Sequence, residues 1–143
     1  MKHLIKYLIT ITLLSGTQSC HRDNPKDHVH HLNGYWEIDK VQTSQAVKKQ
    51  YSFNQSIDFI EMSGDSLGIR KKVQPQLDGT FITSKNNERF KIIVLNDSIY
   101  LEYTTPYDTW RETLVSVKED ELILRNPNGN LYFYRPYKKL DLQ

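Results

Sequence analysis

The chain of 143 residues is long enough for one domain with one hydrophobic core, but not for two. Its formal net charge of +2 comes from Lys2 and Lys6 near the start, and the other 17 of its 19 basic residues balance 17 acidic ones. This balance argues against nucleic acid or an anionic membrane surface as a partner, because both are bound mainly through net positive charge.

Residues 1–19 have the three parts of a secretory leader: a basic start, an apolar run from Leu4 to Leu14, and a small residue, Ser19, before the cleavage site. The apolar run is shorter than the roughly 20 residues that a bilayer-spanning helix needs. Cys20, the only cysteine of the chain, comes next. A lone cysteine at the end of a leader resembles the lipobox of bacterial lipoproteins, whose thiol is diacylated.

This resemblance implies a lipid-anchored protein of the bacterial cell envelope, expected in the outer membrane on its periplasmic or surface face. The alternative is ordinary leader cleavage after Ser19, which leaves a soluble secreted protein with one free thiol. If Cys20 carries lipid, no disulfide can form, so burial alone must hold the fold.

Residues 20–31 are predicted to form a flexible tether, since residues 21–31 contain one apolar side chain and cannot bury enough surface to become ordered. The four histidines outside the leader all lie here, and they are His21, His28, His30 and His31. Imidazoles can bind a transition metal, but a flexible segment must first become ordered to do so. We therefore predict a solvated tether and no metal site.

Residues 32–143 are predicted to form one all-β domain. Short runs rich in Ile, Val, Tyr, Phe and Thr alternate with turn pairs such as Asp78-Gly79, Asn96-Asp97 and Asn128-Gly129. These runs predict nine strands, near 34–41, 56–62, 67–74, 79–84, 89–95, 98–104, 110–117, 121–126 and 130–137.

Alternation along the strands predicts which side chains share a face. The groups are Phe90 with Ile92 and Val94, Ile99 with Leu101 and Tyr103, and Leu122 with Leu124. The short connections exclude crossover helices, so the strands are expected to form an antiparallel meander. Closure into an up-and-down barrel of about eight strands removes both sheet edges. Such a barrel is filled by side chains or holds one small ligand.

The first strand opens with Leu32-Asn33-Gly34-Tyr35-Trp36-Glu37-Ile38. Its Gly-x-Trp motif resembles the first strand of the lipocalin superfamily, and the longer Leu-x-Gly-x-Trp form resembles small lipocalin-like lipoproteins of Bacteroidetes. The resemblance implies a lipocalin-like barrel with Gly34 and Trp36 at its closed end. An unrelated β-sandwich with a core tryptophan is the alternative fold.

In the lipocalin superfamily this tryptophan lies under an arginine of the last strand. We expect Arg135 in that role, because it shares its parity with Leu131 and Phe133 and should point inward with them. Arg125, one strand earlier, is the alternative. A guanidinium stacked on the indole would contribute about 0.5 to 2 kcal/mol.

Two connections are predicted to border the open mouth. Residues 42–55 follow the first strand, where lipocalin-like barrels have their lid, and residues 103–110 form a second aromatic-rich connection. The candidate ligand contacts are the aromatic residues Tyr51, Phe53, Tyr103, Tyr107 and Trp110. These rings are equally suited to fill a small barrel or to form a protein-contact patch.

The predicted barrel contains no histidine and no cysteine. A serine or cysteine nucleophile needs a base, usually histidine, and typical zinc sites need histidine or cysteine ligands. Carboxylate pairs such as Glu37 with Asp39 are expected to face water. We therefore predict no catalytic residue, no cofactor and no enzymatic activity.

The favoured interpretation is a lipid-anchored lipocalin-like protein that binds a small apolar or amphipathic molecule in its barrel. The alternative is a structural or interaction lipoprotein with a filled barrel, whose loops bind a protein or a glycan. An interior of roughly 300 Å³ or more would favour the ligand-binding interpretation. The sequence leaves the oligomeric state and the membrane leaflet open.

Overall fold

A computed structural model describes residues 25–139 of the chain. It contains one 3₁₀ helix, Pro25–Leu32, followed by ten strands. The strands are β1 (Gly34–Gln42), β2 (Lys48–Gln50), β3 (Ile57–Ser63), β4 (Leu67–Pro75), β5 (Phe81–Thr83), β6 (Glu88–Leu95), β7 (Ser98–Thr104), β8 (Thr109–Val117), β9 (Leu122–Arg125) and β10 (Leu131–Pro136). All nine predicted strands are confirmed, and only the short β2 was not predicted.

The strands form a closed antiparallel barrel, as predicted. Consecutive strands pair around the sheet, and β10 pairs with β1 to close it. The strands β2 and β3 pair with successive parts of β1, and β5 and β6 with successive parts of β4. Each of these two pairs therefore occupies the place of a single strand in the barrel wall. The ten strands thus fill eight strand positions, and we call the fold an eight-position barrel.

The predicted turn chemistry is present between β6 and β7. Asn96 and Asp97 form a two-residue connection and have φ values of 49° and 59°. Two successive positive φ values are typical of the tight hairpin turns that match the twist of antiparallel strands. The turn fixes the register of β6 against β7, from Leu95 opposite Ser98 to Arg89 opposite Thr104.

One end of the barrel is closed by the 3₁₀ helix. Val29 and Leu32 are buried in the core, and Trp36 Nε1 donates a hydrogen bond of 2.9 Å to the Leu32 carbonyl oxygen. The prediction of a flexible tether is therefore wrong for residues 25–31. Two apolar side chains three residues apart are enough to order this polar segment, because the end of the barrel offers them an apolar surface to pack on.

The two ends of the barrel differ in their connections. Turns at 64–66, 96–97 and 118–121 lie at the closed end, beside the helix. Connections at 43–47, 76–80, 105–108 and 126–130 lie at the other end, because turns in an antiparallel meander alternate between ends. Segment 84–87 joins β5 to β6 along the same edge of β4, and it precedes the last β6–β7 pair, Arg89 with Thr104, on the side of this second end. No helix covers that second end within the described chain. We call it the mouth.

Apolar side chains fill the half of the barrel near the closed end. The predicted inward groups are confirmed except at one position: the core contains Phe90, Ile99, Leu101, Tyr103, Leu122 and Leu124, and Ile92 packs against it, whereas Val94 is 42% exposed. Phe90 lies so close to Gly68 that an added Cβ would stand 2.3 Å from its ring. The β4 position facing this ring therefore accepts no side chain.

A second, smaller apolar cluster lies on the outer face of the barrel. Ile57 and Val73 pair with each other, and both are buried although they point away from the main core. The β4–β5 hairpin folds over this outer face, and Phe81 of β5 stacks on Tyr35 with ring centroids 4.5 Å apart. The hairpin therefore covers the barrel wall and leaves the mouth uncovered.

Candidate functional site

Charged residues on the inner face form a polar layer between the apolar core and the mouth. They come from β3, β4, β6 and β8, and Tyr103 of β7, the strand between β6 and β8, lies among them. The polar layer consists of Asp58, Arg70, Lys72, Glu88, Tyr103 and Glu112. These side chains face inward because they keep the same alternation as the core residues Ile60, Phe90 and Leu114 on their strands.

Arg70 is the centre of the polar layer. Its Nε lies 2.6 Å from Glu88 Oε2 and its Nη1 lies 2.9 Å from Glu112 Oε2. Its guanidinium carbon is 4.1 Å from the centroid of the Tyr103 ring. Two carboxylates and an aromatic face thus hold a side chain that is only 10% exposed.

The environment of Arg70 is electronegative. Burial by itself would lower the pKa of the guanidinium. The acidic groups around it outweigh burial and raise the pKa of Arg70 well above its ordinary value; these groups are Tyr103, Glu112, Asp58 and Glu88. The carboxylates of Glu112, Asp58 and Glu88 therefore favour the charged form of the Arg70 guanidinium.

The second ion pair of the polar layer joins a buried and an exposed residue. Lys72 Nζ lies 2.7 Å from Asp58 Oδ1, and the side chains are 58% and 3% exposed, respectively. The same oxygen takes part in no hydrogen bond. The contact is therefore an ion pair at short distance without the directionality of a hydrogen bond.

Tyr103 brings an unsatisfied hydroxyl group into the polar layer. Its ring stacks between Arg70 on one side and Trp110, whose ring centroid is 5.1 Å away. The residue is fully buried, and its hydroxyl oxygen has no hydrogen-bond partner. Burial raises the pKa of Tyr103 well above its ordinary value, so the phenol stays protonated.

An open cleft of about 780 Å³ connects the polar layer to the mouth. Arg70, Lys72 and Glu88 contribute the inner part of its lining. The β5–β6 connection (84–87) and the segment 104–107 form its walls. The volume of the cleft exceeds the 300 Å³ expected of a ligand-binding interior. The space is nevertheless a cleft at the mouth, because side chains fill the half of the barrel near the closed end.

The structure separates the five predicted ligand contacts. Tyr107 is 96% exposed and lies in the wall of the cleft, whereas Tyr103 belongs to the core and stacks on Trp110 inside the barrel. Tyr51 lies under Lys49 Nζ, 4.8 Å from the centroid of its ring. Phe53 is exposed on another surface. No residue of 42–55 lines the cleft, so the predicted lid position is taken by residues 84–87.

Phe53 lines a second depression, which we call the outer groove. It lies on the outer wall between residues 52–55 and the β4–β5 hairpin, with a volume of about 400 Å³. Phe53 and Leu77 are among its lining residues and are 75% and 77% exposed. The outer groove shares no lining residue with the cleft.

The predicted stacking of Arg135 on Trp36 is wrong. Arg135 is opposite Glu37 in the β1–β10 register, and its guanidinium binds Glu37 at 2.9 Å and Asp39 at 2.6 Å on the outer face. The inward residues of β10 are Tyr132 and Tyr134, which pack on the core.

The closed end instead uses the hydrogen bond between Trp36 and Leu32 described above. Gly34 and Trp36 do lie at this end, and Gly34 has a φ of 132° that disfavours any other residue. Arg125, the alternative partner, is exposed and pairs with Thr113 and Leu131 across the sheet.

Sequence reasoning missed the charged residues of the polar layer, although a signal was present. Asp58 keeps the parity of Ile60, Glu88 that of Phe90, and Glu112 that of Leu114. A charged side chain at a position that shares its alternation with an apolar face is buried with that face, and burial of an unpaired charge costs free energy. Such residues therefore mark an ion pair or a functional site.

The described residues contain no group of three or more histidine, cysteine, aspartate or glutamate side chains arranged to bind a metal ion. No helix between residues 25 and 139 is long and apolar enough to cross a bilayer. The leader and Cys20 lie outside the described residues.

No family model and no curated protein matches the chain. Among solved structures, it is similar to a lipocalin-like protein from Bacteroides uniformis, with a TM-score of 0.46 and 10% identity over 75% of this chain and 99% of that one. It is also similar to a de novo designed fluorescence-activating β-barrel, with a TM-score of 0.45 and 14% identity over 78% and 98% of the two chains.

Lobster apocrustacyanin A1 is a further similar structure, with a TM-score of 0.42 and 9% identity over 88% of this chain and 68% of that one. Similarities at this level do not assign the chain to a family. The chain's own strand pairing identifies it as a closed, eight-position, antiparallel β-barrel.

Proposed function

We propose that this chain is a lipid-anchored, lipocalin-like protein of the bacterial cell envelope that binds a small amphipathic molecule at the mouth of its barrel. The supporting observation is the asymmetry of the barrel, which is closed by a helix and Trp36 at one end and leads to a cleft of about 780 Å³ at the other. Pockets of roughly 300 to 1,000 Å³ are typical of small-molecule sites. The role is binding without catalysis.

The lining of the cleft favours an amphipathic ligand over a wholly apolar one. Arg70 and Glu88 lie in its inner part, and a purely apolar molecule placed on them would remove water from charged groups without replacing its hydrogen bonds. Pro106 and the ring of Tyr107 offer apolar surface nearer the solvent. A ligand with one polar end directed inward fits both parts.

Native mass spectrometry of the mature protein, purified from its own envelope, tests this proposal. We expect an additional mass that is retained by the native chain and lost in Asn87→Trp, which places a large ring in the cleft wall. Asn128→Trp is the matched control, because this residue is exposed on another connection at the same end and does not line the cleft. Equal retention by both variants would place the ligand elsewhere.

A second candidate function is supported by the outer groove. Exposed Phe53 and Leu77 on its two sides are large apolar side chains of the kind that anchor protein contacts. In this alternative the barrel is a scaffold and the loops bind a protein or a glycan. Phe53→Ser with Leu77→Ser would then abolish partner capture in the envelope, whereas Asn87→Trp would leave it unchanged.

A further inference from the structure

We propose that the ligand of the cleft carries a cationic nitrogen, such as a primary ammonium group, which takes the place of the Lys72 ammonium on Asp58. This inference deepens the proposed function and rests on it. It assigns the inner part of the cleft to the cationic end of the ligand and the outer part to its apolar end.

The charges of the polar layer favour a cation. Arg70 and Lys72 contribute two positive charges, and Asp58, Glu88 and Glu112 contribute three negative ones, so one negative charge remains. An added carboxylate or phosphate would increase the excess negative charge in a poorly hydrated space, where like charges repel strongly.

Lys72 already places an ammonium group in the polar layer, and it can be displaced. Its side chain is 58% exposed and lines the cleft, whereas Asp58 is 3% exposed. The Nζ atom lies 2.7 Å from Asp58 Oδ1 without a hydrogen bond to that oxygen. Asp58 itself does not line the cleft, so a ligand ammonium reaches this carboxylate by taking the place of Lys72 Nζ, which moves into water.

The unpartnered hydroxyl of Tyr103 is an independent indication of a ligand. A buried hydroxyl without a hydrogen bond costs roughly 1 to 3 kcal/mol, so native proteins usually supply a partner. The phenol oxygen can accept a hydrogen bond from an ammonium group. It belongs to the same layer as Asp58 and Glu112, which both influence its ionisation.

The cations at the outer edge of the cleft do not reverse this preference. Lys85 and Arg89 line the cleft but are exposed on its rim. Salt screens exposed charges over about 8 Å at physiological ionic strength, whereas buried charges are screened much less. The buried carboxylates therefore decide which charge is bound inside.

Three probes with the same alkyl chain test the inference: octylammonium, octanoate and 1-octanol. Calorimetric titration at neutral pH should give octylammonium at least about tenfold higher affinity than octanoate, with octanol between them. Equal or tighter binding of octanoate would overturn the cationic assignment and leave the proposed function standing. If none of the three probes binds, the proposed function fails together with this inference.

Substitution of Lys72 separates displacement from simple attraction. Lys72→Met removes the internal ammonium, and we expect it to raise the affinity for octylammonium about tenfold, because no lysine competes for Asp58. Lys71→Met is the matched control, since Lys71 is the next residue on β4 and faces the opposite side of the sheet. An unchanged or lower affinity in Lys72→Met would overturn the displacement.

Two further variants keep the test decisive if Lys72→Met is too unstable to study. Tyr103→Phe removes the unpartnered hydroxyl without breaking a hydrogen bond of the free protein, and we expect about fivefold weaker octylammonium binding with octanol binding unchanged. The double variant Asp58→Asn with Lys72→Met removes the ion pair as a unit but leaves the net negative charge of Arg70, Glu88 and Glu112, so its preference for octylammonium over octanol should fall without being lost. Unaltered discrimination in both variants would overturn the proposal.

Discussion

At the scale of single residues, the barrel contains charges in places where charges are costly. Arg70 and Asp58 are buried on the inner face, and each has an oppositely charged group within 3 Å. Removing one partner of such a pair leaves an uncompensated buried charge, which costs far more than losing an exposed pair. The polar layer therefore constrains these positions together.

Trp36 and Arg135 are expected to contribute independently to stability. Trp36→Ala should lower the free energy of unfolding by about 3 to 5 kcal/mol, because it removes a buried ring and leaves the Leu32 carbonyl oxygen without its donor. Arg135→Ala should cost about 1 kcal/mol, because its ion pairs lie on the outer face and are only partly buried.

A double-mutant cycle checks this by denaturant unfolding of the single and double variants. We expect no coupling between Trp36 and Arg135, and measurable coupling between Arg135 and Glu37, which are hydrogen-bonded. A coupling energy above about 0.5 kcal/mol between Trp36 and Arg135 would contradict the outward position of this arginine.

The buried tyrosines predict a loss of stability at alkaline pH. Burial raises the pKa values of Tyr103 and Tyr134 well above that of a tyrosine in the unfolded chain, which is about 10. Their contribution is fully present below pH of about 10 and is lost as pH rises from there through the folded-state pKa, because the unfolded chain releases these protons first.

Melting temperatures between neutral and strongly alkaline pH measure this effect. The decline above pH of about 10 should be smaller in Tyr103→Phe than in the native chain, whereas exposed Tyr107→Phe serves as the control and should decline like the native chain. At neutral pH, Tyr103→Phe should raise the unfolding free energy by about 1 to 3 kcal/mol, since it removes a buried hydroxyl that has no hydrogen bond.

At the scale of elements, the 3₁₀ helix is the part of the fold that local sequence describes least well. Its sequence is polar, yet Val29 and Leu32 enter the barrel core and the backbone accepts the hydrogen bond from Trp36. Short 3₁₀ helices have little stability of their own. The helix is therefore held by the barrel end against which it packs.

Leu32→Ala is expected to destabilise the chain by about 2 to 5 kcal/mol, because Leu32 is fully buried at the closed end. Leu77→Ala is the matched control, since this leucine is 77% exposed and should cost less than about 0.5 kcal/mol. Urea unfolding of both variants measures the difference. Similar costs for the two substitutions would mean that the helix does not pack on the barrel in solution.

At the scale of the whole molecule, the proposed anchor and the proposed site lie at opposite ends. Four residues lie between Cys20 and Pro25, where the helix at the closed end begins, and the five residue steps of an extended chain span at most about 18 Å. A lipid on Cys20 would therefore hold the closed end near the membrane. The mouth would face away from the membrane, where a ligand can enter from the aqueous phase.

Cys20→Ala tests the anchor. Without a thiol to acylate, the protein should move from the membrane fraction to the soluble fraction of the envelope, because a lost acyl chain removes about 0.8 kcal/mol for each buried methylene group. Its melting temperature should not change, since the described fold begins at Pro25. Continued fractionation with membranes would show that another feature holds the chain there.

The strands, the turns and the antiparallel barrel followed from local patterns. Alternation of apolar residues and turn pairs such as Asn96-Asp97 act between sequence neighbours, and each strand of a meander pairs mainly with the next. Gly34 and Trp36 were also placed at the correct end. These features were determined by the sequence itself.

Tertiary structure decided what local patterns left open. In β10, apolar and aromatic residues occupy both of the alternating sets of positions, so the pattern alone does not show which side of the sheet Arg135 faces. The pairing of Tyr134 with Ile38, where β10 closes the barrel against β1, decides it. The polar layer likewise exists only after closure brings Asp58, Glu88 and Glu112 around Arg70 and Lys72. Charge pairing between residues as far apart as Arg70 and Glu112 depends on distance in space, which a reading of neighbouring residues cannot supply.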